Sequence, residues 1–121
     1  MHVALAAESS RAFNWEKPTV TPEEFRISAT EAKAEPPAGA SPALLALWHD
    51  ANGNWEKAHE VAQSDATCDG SWVHAYLHRK EGDNGNAAYW YARARRPVAQ
   101  GPIESEWSAM VQELGIHGGG H

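Results

Sequence analysis

Between residues 41 and 116, apolar side chains recur every three or four positions, the period of an α-helix. Over residues 72–81, Trp72, Val73, Tyr76 and Leu77 share one arc of a helical wheel. His74, His78 and Glu81 share the opposite arc, which the pattern leaves to solvent. Gly82 suits the left-handed position just past a helix end. A second helix runs from Asn84 or Asn86 to Arg96, where Pro97 stops it. Its apolar arc is Ala87, Trp90, Tyr91 and Ala94; Asn86, Tyr89, Arg93 and Arg96 form the other arc.

The same plan occurs earlier in the chain. Ser41 is an N-cap, Pro42 stands at N1, and Leu44, Leu47, Trp48 and Ala51 make a stripe. Asn52 and Gly53 end that helix. The next, residues 54–64, puts Trp55, Ala58, His59 and Ala62 on one face. Trp48-His49 and Gly53-Asn54 match Leu77-His78 and Gly82-Asp83 at an offset of 29 residues. A last helix opens at Pro102, carries Ile103, Trp107, Met110, Val111 and Leu114, and is expected to end at Gly115. The fold class is therefore all-α: antiparallel helical hairpins with a C-terminal capping helix. Trp48 and Trp90 are the expected core indoles.

Residues 1–40 form an N-terminal extension with few large apolar groups. Thr21 and Glu24 make a capping box, with Pro22 at N1 and Val20 and Phe25 as a staple. The helix that follows, near residues 22–33, offers only Phe25, Ala29 and Ala32, and is expected to dock weakly or fray. Phe13 and Trp15 are the large apolar groups upstream. Residues 1–20, the spacer at 35–40 and the tail at 117–121 are expected to be mobile. The folded domain is then residues 41–116, with five helices.

Glu81-Gly82-Asp83 followed by Asn86-Ala87-Ala88-Tyr89-Trp90-Tyr91-Ala92-Arg93-Ala94 resembles the second-helix pattern of Sel1-like and tetratricopeptide repeats. Gly53-Asn54-Trp55-Glu56-Lys57-Ala58 looks like the same turn in a first unit. The resemblance covers about 50 residues. It implies stacked helical hairpins and a noncatalytic module that binds a peptide or protein partner. The string from His74 to Asp83 also resembles a family of small helical proteins with an H-A-Y-L-H-R-x-E-G-D core, which implies a fold and no particular activity.

Composition narrows the function. A length of 121 residues allows one domain. The net charge of −6 argues against a nucleic-acid partner. One cysteine, Cys68, excludes an internal disulfide and suits a reducing, cytoplasmic setting. No apolar run is long enough to cross a bilayer, and residues 1–10 lack the pattern of a signal peptide.

Two sets of polar residues carry candidate chemistry. Helical hairpin faces bind ligands, and His78, Glu81, Asn86, Tyr89 and Arg93 flank one tight turn. Arg93 offers a planar fork to a carboxylate or phosphate, and Asn86 can pair with a peptide backbone. The bland alternative is an internal network in which Arg79 or Arg93 pairs with Glu81 or Asp83, with Asp83 as an N-cap. The second set is a divalent metal site: His74 and His78 at i, i+4, with Glu81, His59 or His49 completing it. Cys68 has no second cysteine beside it, and His59-Glu60 lacks the second histidine of a zinc-protease motif. No cofactor other than such a metal is indicated, and no nucleophile elbow or phosphate loop occurs. The leading expectation is a binding or scaffolding module; the alternative is a metal-binding protein or metal-dependent enzyme centred on His74 and His78.

Overall fold

A computed structural model describes residues 21–31 and 34–120, excepting the side chains of 116–120. The described residues form helices and no strands. In chain order these are α1 (Pro22–Thr30), α2 (Pro42–Ala51), α3 (Trp55–Gln63), α4 (Cys68–Lys80), α5 (Asn84–Ala94) and α6 (Ile103–Gly120). Adjacent helices pack as hairpins, α2 with α3 and α4 with α5. α4 is the central element, in contact with α2, α3, α5 and α6.

Local chemistry sets the helix starts. An oxygen of Thr21, Ser41, Asn54, Thr67 or Asp83 accepts a hydrogen bond from the backbone N–H three residues on, at the head of α1 to α5 in turn. Thr21 and Glu24 complete the capping box. Gly53 and Gly82 adopt φ of 87° and 91° at the two hairpin turns. Both turns close alike. Asn54 N–H donates to the His49 carbonyl and Asp83 N–H to the His78 carbonyl, each at 2.9 Å. Gly53 and Gly82 N–H groups reach Asp50 and Arg79. These are the paired bonds of a Schellman ending, so the 29-residue correspondence is one of backbone geometry.

The core holds Phe25, Leu44, Leu47, Trp48, Val73, Tyr76, Leu77, Tyr91, Trp107 and Met110 among others. Several expectations change. α4 begins at Cys68, four residues before the expected start, because Thr67 caps it and Gly70 lies against the Asp65 backbone. A Cβ at Gly70 would stand 2.3 Å from the Asp65 oxygen. All residues from Gly70 to His78 are buried, so the arc bearing His74 and His78 does not face solvent. Neighbouring helices cover it, which a wheel drawn from α4 alone cannot show. Trp90 is half-buried at the edge of the core rather than within it.

α1 docks firmly. Phe25 is 1% exposed and its ring meets Trp107 of α6 at 6.1 Å. The Trp48 indole N–H donates to Ser28 at 3.0 Å, and Asn52 donates to the Ala29 carbonyl at 2.7 Å. The core therefore extends N-terminal of residue 41. Val20, Ala32, Lys33, Phe13, Trp15 and the rest of residues 1–20 lie outside the described residues, as does His121. In the spacer, Pro37 is buried. The expected stop at Gly115 is not taken: helical backbone continues to Gly120, since Gly115 does not adopt the left-handed conformation that would end it.

The expected pairing of Arg79 or Arg93 with Glu81 or Asp83 is replaced by longer-range bonds. Arg79 Nη1 donates to Glu106 of α6 at 2.8 Å, and its Nη2 to the Gly101 carbonyl. Glu106, also buried, accepts from the Tyr91 hydroxyl at 2.5 Å. On the other side of α4, buried Asp50 accepts from Tyr76 at 2.6 Å and from Lys80 at 2.8 Å. Burial and the adjoining carboxylates push both tyrosine hydroxyls up, so each stays protonated and donates.

Truncating Phe25 to Ala should cost about 3 kcal/mol or more in urea melts, the range for a fully buried aromatic. A loss below about 1 kcal/mol would mean that α1 is frayed in solution.

Candidate metal centre

One turn of α4 and the packing of α3 against it bring three imidazoles together. His74 and His78 project from one face of α4, their ring centroids 4.9 Å apart. α3 supplies His59. Its backbone is positioned by Trp55 one turn earlier, whose indole N–H donates to the Leu77 carbonyl of α4 at 3.1 Å. Trp55 then stacks on His59, with centroids 5.0 Å apart and planes 9° from parallel. Nε2 of His59 lies 3.0 Å from Nε2 of His74. One ring nitrogen from each of His59, His74 and His78 falls within 4.8 Å of the others.

The surroundings orient each ring. His78 Nδ1 is 2.8 Å from Glu81 Oε2. With Nδ1–H donating to that carboxylate, Nε2 keeps its lone pair, the tautomer a metal needs. His74 is sandwiched: Trp90 of α5 stacks on it at 3.9 Å with planes 20° apart. His74 and His78 are buried, while His59, Trp55 and Trp90 are half-buried. The first two form the floor of the site, and the other three form its outer wall.

Burial is the main force on protonation. It lowers the His74 pKa to about 4, helped by His59 and His78, which resist a further positive charge beside them. His59 is also shifted down, first by burial and then by His78, against an upward pull from Glu81. Near neutral pH these two rings are neutral, as ligands must be. In the metal-free protein the 3.0 Å contact is a hydrogen bond in which one Nε2 donates to the other.

Of the expected metal ligands, His59, His74 and His78 converge. Glu81 joins only through His78 Nδ1, one shell out. His49 stands elsewhere, edge-on to Trp48 at 5.3 Å, with its pKa lowered by burial and by Lys57. Cys68 is exposed, with its thiol 4.0 Å from the Arg93 carbonyl. Glu60 is paired with Lys57 at 3.6 Å. A second grouping, His78, Glu81 and Asp83, is exposed at its two acids, and Asp83 is engaged as the cap of α5.

The expected ligand-binding set separates into pairs. His78 is bonded to Glu81, and Asn86 Nδ2 donates to Asp83 at 3.0 Å. Arg93 sits over the rings of Tyr89 and Trp90, at 5.8 and 5.2 Å from their centroids. Tyr89 alone of these is a largely exposed aromatic, at 54%. Sequence reasoning missed Trp55 and Trp90 as walls of the histidine site. The Trp55–His59 spacing of one helical turn was a usable signal; the Trp90–His74 stack, set by the packing of α5 on α4, left none.

The lowered His74 pKa makes the metal-free fold sensitive to acid. In the unfolded chain this ring takes a proton near 6.5, whereas in the fold it stays neutral down to about 4. Between those values the unfolded state binds the extra proton, so stability falls with pH across that window, by roughly 3 kcal/mol. The urea midpoint should drop accordingly, and His74→Phe, which keeps the stack on Trp90, should flatten the drop. An identical pH profile in the variant would remove His74 as its cause.

No family model, curated protein or solved structure matches this chain.

Proposed function

We propose that the protein binds a divalent transition metal, of the zinc, nickel or copper class, through His59, His74 and His78. The observation that carries this reading is the convergence of three ring nitrogens within 4.8 Å of one another, with His59 and His74 3.0 Å apart. With metal–nitrogen bonds of about 2.0–2.1 Å, two ligands of a tetrahedral ion stand roughly 3.3 Å apart. The His59–His74 separation is close to that edge, and a His78 ring nitrogen lies within 4.8 Å of both. Imidazole donors favour these metals over magnesium or calcium, which take oxygen. Entry of the ion requires that the donated Nε2 proton move to Nδ1 of the same ring, and uptake weakens as pH falls because a protonated imidazole has no lone pair to give. Glu81 holds the His78 ring in its liganding tautomer.

A partner-binding role is the second reading, favoured by Tyr89, which stands exposed beside Arg93. It follows the Sel1-like and tetratricopeptide resemblance, and the single cysteine suits a cytoplasmic setting. Under this reading a peptide or protein partner engages Tyr89 and Arg93, and the histidines serve only packing.

The test is metal content and zinc titration of protein made without an affinity tag. The expected result is one zinc per chain, a raised melting temperature on loading, and at least a ~100-fold affinity loss in His59→Gln. His59 is the residue to change, because the burial of His74 and His78 would confound their removal with packing loss. Zinc affinity that His59→Gln leaves unchanged would remove the trio as the site.

A further inference from the structure

We infer that the metal held by His59, His74 and His78 keeps one exchangeable coordination position, occupied by water and open to a small anion. This rests on the metal-binding reading above.

Three observations carry it. Among the described residues no fourth histidine, cysteine, aspartate or glutamate joins the trio. Three protein ligands on a four-coordinate ion are the mark of an open site rather than a closed structural one. Next, imidazoles bind a metal as neutral ligands, so none of the ion's two charges is cancelled by the groups that would hold it. The nearest carboxylate, Glu81, acts through His78 Nδ1 and not on the metal. Across the outer wall Arg93 adds a positive charge over the Trp90 ring at 5.2 Å. A residual positive charge of this kind lowers the pKa of bound water and draws an anion in its place.

The third observation is access. His74 and His78 close the floor against α4, whereas His59 is half-buried. Three ligand nitrogens leave one place on a four-coordinate ion, and the half-buried His59, Trp55 and Trp90 put solvent beside the trio. The two indoles stack on His59 and His74 and carry no ligand atom for the ion. The uncancelled charge and the single unfilled position fit a monovalent anion that binds through one donor atom, such as hydroxide, azide or a short carboxylate.

The experiment uses the full chain loaded with cobalt(II), whose visible bands report coordination, and azide as the probe. The expected result is a tetrahedral cobalt spectrum that shifts with added azide, saturates, and returns when azide is dialysed away. In His59→Gln the tetrahedral spectrum is lost. A tetrahedral spectrum in the native chain that azide leaves unmoved would overturn the open position while leaving metal binding intact, since the protein would then be filling the fourth place itself. No cobalt or zinc uptake at all would overturn the metal reading and this inference together.

Discussion

A helix enclosed by four others has no solvent side on which to place polar groups. α4 is that helix, and it carries Ser71, His74, Tyr76, His78 and Arg79 into the interior or its margin. Each buried polar atom costs free energy unless it is hydrogen-bonded. Among the described residues no buried side-chain nitrogen or oxygen lacks a partner. The rest of the fold supplies those partners. α2 brings Asp50 to Tyr76, α6 brings Glu106 to Arg79, and α3 brings His59 to His74. The helix arrangement and the histidine site are two results of one requirement.

Much of this was legible in the chain, for local reasons. The caps Thr21, Ser41 and Asp83, the two glycine turns and the apolar stripes act within a few residues, and the helices stand close to where these signals place them. The depth of α4 was not legible, because burial on its polar arc comes from α3 and α5 rather than from its own residues. Trp90 shows the same limit. Its spacing with Ala87 and Tyr91 reads as core, yet its ring ends against an imidazole at the edge. Asp50 and Glu106 look like ordinary surface acids until elements tens of residues away reach them. The weak apolar face of α1 misled for another reason: one phenylalanine wholly buried against Trp107 anchors a short helix as well as a longer stripe would.

The two hairpin turns share a backbone yet treat their histidines differently. The carbonyls of His49 and His78 each accept from the backbone N–H of the third residue past the helix end, Asn54 and Asp83. His78 faces α3 and the site, while His49 lies against Trp48 and takes no part in it. Matching backbone positions thus fix where a side chain departs, and the neighbouring helix decides what it meets. α4 has α3 beside that position.

His59 and His74 are 15 residues apart in sequence and touch through their ring tips. Any link between them that persists on unfolding closes a loop of that size in the unfolded chain as well. By the chain-entropy account of cross-links, such a closure removes roughly 3 kcal/mol of conformational freedom from the unfolded state. A chain with a single cysteine has no disulfide with which to do this internally. The imidazole contact is thus placed where a reversible cross-link would tie α3 to the central helix, and that link would open and close with ligand supply rather than with redox state.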